Sequence, residues 1–267
     1  METKRLKNIA ILILILLNGF LLALLGYQEM QAIRSSRAAR DELEVLFATE
    51  ELKLSLSSGV LEKSLRPLTL TRQTETENRI AAFLLGEVVP SESQGGGISG
   101  YQTELGTVQF RAGGGFDTVW IDRYVGDVYS FSQQFCDSFD YEDVEYRVEN
   151  DSGTVTARQY VAGVPVFGCG LTLTFEEGKL VYAAGAHIDL ADAVADREEP
   201  LTCVSALMRF FDHRRTVGII CSEVKDVRCV YQLDGAVTPT RVLPVWEIET
   251  DTYVYLVDGL SAEVSRR

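Results

Sequence analysis

Histidine is nearly missing from this 267-residue chain: only His187 and His213 occur, too far apart in sequence to suggest a local metal or catalytic pair. Six prolines, three methionines and two tryptophans are equally sparse. No Walker A loop, no G-x-S-x-G elbow, no H-E-x-x-H and no C-x-x-C occurs, so the common signatures of nucleotide hydrolysis, serine hydrolases, zinc peptidases and thiol redox enzymes are absent. Positive charge is also short, with 25 Lys and Arg against 39 Asp and Glu and a formal net charge of −14. A surface that acidic does not hold a phosphate backbone through bulk charge, which argues against nucleic acid as a partner. Hydrophobic residues make up 46% of the chain, ample for a folded core.

What is present is first of all an apolar run from Ile9 to Leu25, interrupted only by Asn18 and Gly19 and preceded by Lys4, Arg5 and Lys7. A helix of that length reaches roughly 25 Å, and Tyr27 at its end suits an interface, so the run predicts an uncleaved single-pass anchor. The apolar stretch continues without a small-x-small cleavage site, which disfavours a signal peptide. Three arginines (Arg34, Arg37, Arg40) follow the span and match the leading basic residues, but the leading charges lie closer to it. The expectation is an N-terminus in the cytoplasm and a C-terminal domain outside the cell. Asn18 beside Gly19 offers a polar group and a close-approach surface to another helix within the membrane, set against the plainer reading of one tolerated asparagine.

Four regions follow. Residues 1–27 are read as cytoplasmic tail and anchor; 28–59 as a juxtamembrane helical stalk, free of proline and with glycine only at its end, with Leu43, Leu46 and Phe47 on one face; 60–123 as an N-terminal α+β unit; and 124–267 as a C-terminal α+β domain. Within them, Thr74 and Glu77 have capping-box spacing ahead of an amphipathic helix ending near Gly86. A second helix is expected near 127–138, and turns at 150–153, Ala162-Gly163 and 176–178 divide an antiparallel meander. Thr202 is a plausible cap for a helix carrying Val204, Leu207, Met208 and Phe211, and strands are expected at 223–233, 241–249 and 252–258. The order helix, strands, helix, strands, helix, strands predicts an α+β fold of tandem units, each a helix packed on an antiparallel sheet.

Several chemical patterns point to structure. Gly95-Gly96-Gly97-Ile98-Ser99-Gly100 fits G-x-G-x-x-G in letters but follows a loop and opens a strand, so it lacks the context for a dinucleotide. Asp137, Asp140, Glu142, Asp143 and Glu145 lack the spacing of a calcium loop and read as a solvated acidic face. His213 sits in a basic helix end, and His187 has no thiol or second histidine nearby, so both read as structural. Five cysteines (136, 169, 203, 221, 229) leave at least one unpaired. Cys169 shares parity with Leu171 and Leu173, and Cys229 with Tyr231 and Leu233, which favours buried thiols; Cys221–Cys229 is the pair to check for a disulfide.

The run KRLKNIAILILILLNGFLLALL, with its Leu17-Asn18 pair, resembles the anchor of YycI/YycH (WalI/WalH) regulatory proteins. The stretch from Tyr160 to Phe167, Gly178-Lys179-Leu180, Ala206-Leu207 and Leu243-Pro244-Val245-Trp246-Glu247-Ile248 is similar to the same family's YycI/PepSY-like domain, itself akin to cystatin-like units. That resemblance implies a Gram-positive, membrane-anchored accessory protein that binds a sensor histidine kinase of a two-component system and modulates cell-wall signalling, with a sister YycH-type protein as a second candidate partner. Leu17, Asn18 and Gly19 would then be the kinase contact. The family has no catalytic residues and no cofactor, so none is expected. The alternative is an anchored PepSY-like module that binds peptides, by strand addition to an open sheet edge, or inhibits a peptidase.

Overall fold

The structure is a computed structural model and describes residues 38–57, 59–87, 90–235 and 239–267. Helix α1 occupies 38–49 and presents Leu43 and Phe47 to the interior, both buried. Strands β1 (Lys53–Leu54) and β2 (Leu68–Leu70) lead to α2 (Thr74–Leu85). A meander follows: β3 (Glu92–Gly95), β4 (Ile98–Gln102), β5 (Gly106–Phe110), β6 (Gly115–Ile121) and the short β7 (Arg123–Tyr124). Next come α3 (Val128–Ser138) and four long strands, β8 (Tyr141–Glu149), β9 (Ser152–Val161), β10 (Val164–Glu176) and β11 (Lys179–Ala186). The chain closes with β12 (Val194–Ala195), α4 (Cys203–Val217), β13 (Glu223–Asp234), β14 (Thr240–Thr250), β15 (Val254–Asp258) and β16 (Val264–Arg266).

The expected tandem helix-plus-sheet units are not what forms. The strands join one mixed sheet of 16 strands, flanked among the described residues by four α-helices. The reason lies in β10, which pairs antiparallel with β9 at Val164 and Pro165, turns to pair in parallel with β13 (Val166 with Tyr231, Phe167 with Gln232), and then pairs antiparallel with β9 and β11. The register shifts between Pro165 and Gly170, where Gly168 takes φ +81°. That left-handed conformation is open to glycine at little cost, and it lets one strand leave a sheet and enter another. Strands are also shared across position 124, since β6 and β7 both pair with β11.

Helices cover one side of each half. Ile80, Leu84, Phe131 and Phe135 from α2 and α3 meet Leu171, Leu173 and Phe175 of β10 in one core. Phe47 of α1 packs against Phe211 of α4, ring centroids 5.1 Å apart, over Val227, Trp246 and Ile248 in a second core. Residues 38–49, the described helical part of the region read as a juxtamembrane stalk over 28–59, thus pack their apolar face against α4. A third, smaller core of Val161, Val166, Cys169, Ile188, Tyr231 and Val242 fills the joint.

Local signals explain most boundaries. The turns Asn150-Asp151, Ala162-Gly163 and Glu177-Gly178 all have positive φ at both residues, the two-residue hairpin geometry that matches strand twist. Asp127 caps α3 through Tyr129 and Ser130 N–H, and Thr202 caps α4 through Ser205 N–H. The capping box at Thr74 does not form: Gln73 is the cap residue without a side-chain bond, and Glu77 instead receives a bidentate pair from Arg72 at 2.6 and 2.9 Å. A charged bidentate partner outcompetes a single backbone N–H for the carboxylate.

Among the described residues no helix is long and apolar enough to cross a membrane. The longest, α4, has 15 residues and carries Arg209, Asp212, Arg214 and Arg215, and roughly 22 Å of helix would fall short of a bilayer core. The expected span, with Leu17, Asn18 and Gly19, lies outside the described residues. The single-pass localisation, N-terminus inside and C-terminal domain outside, finds no support among the described residues, where no helix is long and apolar enough to cross a membrane.

Gln159 is the polar tie of the joint. It is buried, donates to the Phe139 carbonyl at 3.0 Å, and accepts from Ile188 N–H at 2.8 Å and from Cys169 Sγ at 3.1 Å. Gln159→Leu would leave the Ile188 N–H buried without its side-chain acceptor and take one of its donors from the Phe139 carbonyl, which His187 also approaches. We expect a loss of about 2–4 kcal/mol in urea unfolding with an unchanged slope; a loss below about 0.5 kcal/mol would show that water replaces the amide.

Candidate functional site

Two places on the molecule combine polar groups with a recess or an open edge. The first is the joint between the halves, where two small cavities lie on either side of His187, Ile188 and Asp189 and share Thr76 of α2 as a wall. Arg72, Glu77 and Thr240 line one, and Arg79, Asp140 and Tyr160 the other.

The polar groups of the joint largely satisfy each other. Arg72 holds Glu77 and donates to the Gly97 carbonyl at 2.6 Å and Ser99 Oγ at 2.9 Å. Thr76 donates to Asp189 at 3.0 Å, Gln73 to Asp192 at 2.6 Å, and Arg79 to the Ser138 carbonyl at 3.3 Å. The imidazole of His187 sits edge-on to Phe139 and Tyr141 at about 6 Å between centroids. Burial pulls its pKa below the ordinary imidazole value, outweighing the attraction of Asp189 and Asp140. The Ala191 backbone N–H, then the Thr76 hydroxyl, hold Asp189 below the usual carboxylate range. With its donors spent on neighbours, the joint braces the two halves.

The second place is the edge of the sheet at β8. This nine-residue strand pairs with β9 alone and is the longest described strand with a single partner; β3 has four residues, β16 three, and β1, β7 and β12 two each. Val144, Tyr146 and Val148 turn toward α3, while Glu145, Arg147 and Glu149 are exposed on the face away from the helices. Because the Asn150-Asp151 turn has two residues, Glu149 and Ser152 form its closing pair. By alternation, the N–H and C=O groups of Arg147 and Glu149 face β9, and those of Tyr146 and Val148 face outward. The Tyr129 hydroxyl approaches the Val148 carbonyl at a long 3.5 Å, consistent with an outward-facing oxygen.

A bulge ends the regular edge. The register shifts between Glu142 and Glu145, Asp143 takes φ +51°, and the Tyr160 hydroxyl donates to the Asp143 carboxylate. Beside the edge, the exposed face of the sheet forms an open depression of about 550 Å³, floored by Gly170, Thr172 and Ala184 and bordered by Asp143, Glu145 and Arg158. The acidic run read as a solvated face is this edge; the strand within it was hidden by its charges, although Val144, Tyr146 and Val148 have the period of two.

Cys221 and Cys229 are not joined. All five cysteines are free and buried. Burial pushes Cys169, Cys203 and Cys229 up to about 12 and Cys136 to about 11, and raises Cys221, so none is a reactive thiolate near neutrality. Among the described residues no group of three or more His, Cys, Asp or Glu is gathered as a metal site.

No family model matches the chain, and no curated protein matches it. Solved structures match weakly, two bacterial proteins among them. An uncharacterized protein from Eubacterium rectale ATCC 33656 is 9% identical over 77% of this chain and 86% of that one, with a TM-score of 0.39. The YpeB C-terminal domain of Bacillus megaterium is 10% identical over 74% and 98%, with a TM-score of 0.33. Likenesses this weak do not place the chain in either lineage, and membership of the YycI/YycH family is corrected for want of a match.

The brace at His187 makes a pH prediction. Its folded pKa lies below the ordinary 6.5, so the unfolded chain binds the proton more readily and the associated stability is present above pH 6.5 and lost as pH falls below it. In urea unfolding, the stability gap between wild type and His187→Gln should shrink as pH drops through that range. A constant gap would show that folding leaves the imidazole pKa unshifted, and a widening one that the fold favours the charged form; either contradicts the prediction.

Proposed function

We propose that the chain is a non-catalytic binding module of the PepSY-like kind, and that it takes an extended peptide segment as an added strand on β8. The single observation that carries this reading is the nine-residue strand with one neighbour and outward backbone groups at Tyr146 and Val148. Unpaired N–H and C=O groups on a regular strand are a template for another chain, and natural sheets close or blunt such edges where pairing is unwanted. Here the bulge at Asp143 blunts the start of β8 and leaves the second half regular. The weak likeness to the YpeB C-terminal domain adds nothing beyond a direction of comparison.

A catalytic role has less to stand on. The joint is the more enclosed recess, but its histidine is buried among aromatic rings and its carboxylates are already bonded. A binding module requires no more than the edge supplies.

The test uses a fluorescein-labelled peptide of alternating Thr and Val, read by anisotropy. Strand addition engages one backbone edge of the ligand, so N-methylation at every second residue in one phase should abolish binding, and methylation in the other phase should leave affinity within about threefold. Equal effects of both phases, or no binding by any of the peptides, would contradict the reading.

A further inference from the structure

We infer that the β8 edge selects a cationic partner: an extended segment in which Lys or Arg alternates with apolar residues. The inference rests on the strand-addition reading and adds the sign and spacing of the partner's side chains. Between Asp127 and Asp151 the chain carries eight carboxylates and one basic side chain, Arg147. They do not all face the edge in the same condition. Asp127 caps α3, Asp143 is held by Tyr160, and Glu145 pairs with Arg147 at 2.9 Å with both side chains more than half exposed. Glu142 and Glu149 make no ion pair among the described residues, and both are exposed.

A strand laid against Tyr146 and Val148 would put alternate side chains on the two faces of the sheet. On the face away from the helices its neighbours are Glu145, Arg147 and Glu149; Arg147 is spent on Glu145, which leaves the Glu149 carboxylate to attract a cation at cross-strand distance. On the helix side its neighbour is Tyr129, which is 47% exposed and stacks on Tyr146 at 5.1 Å between centroids. One face therefore calls for cations and the other for apolar or cation-bearing aliphatic stems. The chain's acidic balance works in the same direction at long range, steering cations toward the edge and repelling anionic segments.

Matched labelled peptides, Lys-Val-Lys-Val-Lys-Val and Glu-Val-Glu-Val-Glu-Val, decide the point by anisotropy on the full chain. The lysine peptide should bind at least about tenfold tighter in low salt, and the preference should shrink as salt is raised. Glu142→Lys combined with Glu149→Lys should narrow or reverse it. Should those variants fail to fold, the wild-type pair still decides. Equal affinity for the two peptides overturns the charge selection and leaves strand addition standing; binding by neither, where the Thr-Val peptide also fails, overturns both. A stable dimer in sedimentation that the lysine peptide does not dissociate would assign the edge to a second copy and overturn the inference.

Discussion

The backbone of β10 belongs to two hydrogen-bond networks at once, parallel to β13 over Val166–Phe167 and antiparallel to β9 on either side of that stretch and to β11 from Leu171 onward. Everything else in the molecule is arranged around that constraint. A strand can change sheets only where its backbone can turn sharply, and Gly168 supplies the turn at φ +81°. Once β10 is shared, the two helix-covered cores cannot separate into independent units, and the space between them must be filled. The small apolar cluster around Cys169 and Tyr231 fills it, and Gln159 ties its polar rim. A second close approach reinforces the joint: a Cβ at Gly113 would lie 2.6 Å from the Gly235 carbonyl, so the β5–β6 turn reaches the end of β13 because residue 113 is glycine.

The same constraint decides which edge of the sheet is left open. With β10 committed on both sides, β9 and then β8 extend the sheet outward, and β8 is left with no neighbour beyond it. The helix-facing side chains of β8 are anchored by α3, through the Tyr129–Tyr146 stack and the Tyr146–Gln133 hydrogen bond, so the edge is held flat and ready. A pre-ordered strand lowers the entropic cost of adding another. The joint, by contrast, is polar but self-satisfied, which is the signature of a brace. The self-satisfied brace and the open edge thus lie at different places on one sheet.

Much of this was legible in the residues. Asn-Asp, Ala-Gly and Glu-Gly pairs at regular intervals marked the hairpins, because only turn residues that tolerate positive φ allow two-residue loops. The parity of Cys169 with Leu171 and Leu173 placed the thiol indoors. What could not be read was pairing at a distance: no local pattern distinguishes a β10 that ends in one sheet from one that crosses into another. That is why tandem units were expected where one mixed sheet forms. Competition was equally invisible. Thr74 and Glu77 have capping-box spacing, but Arg72 claims the carboxylate. The stripe Leu43, Leu46 and Phe47 announced a helix without saying that α4 would cover it. Glu247, buried and clamped by Arg228 and Arg267, had no sequence signal beyond lying in an apolar strand.

The central claim is that the outward backbone of β8 is unoccupied in the free protein and becomes paired when a segment binds. Residue-resolved amide hydrogen exchange tests it directly. The Tyr146 and Val148 amides should exchange fast while the neighbouring Arg147 and Glu149 amides, directed at β9, are protected, and the lysine peptide should slow the former pair selectively. Protection of Tyr146 and Val148 in the free protein, or no change on adding the peptide, would contradict the account.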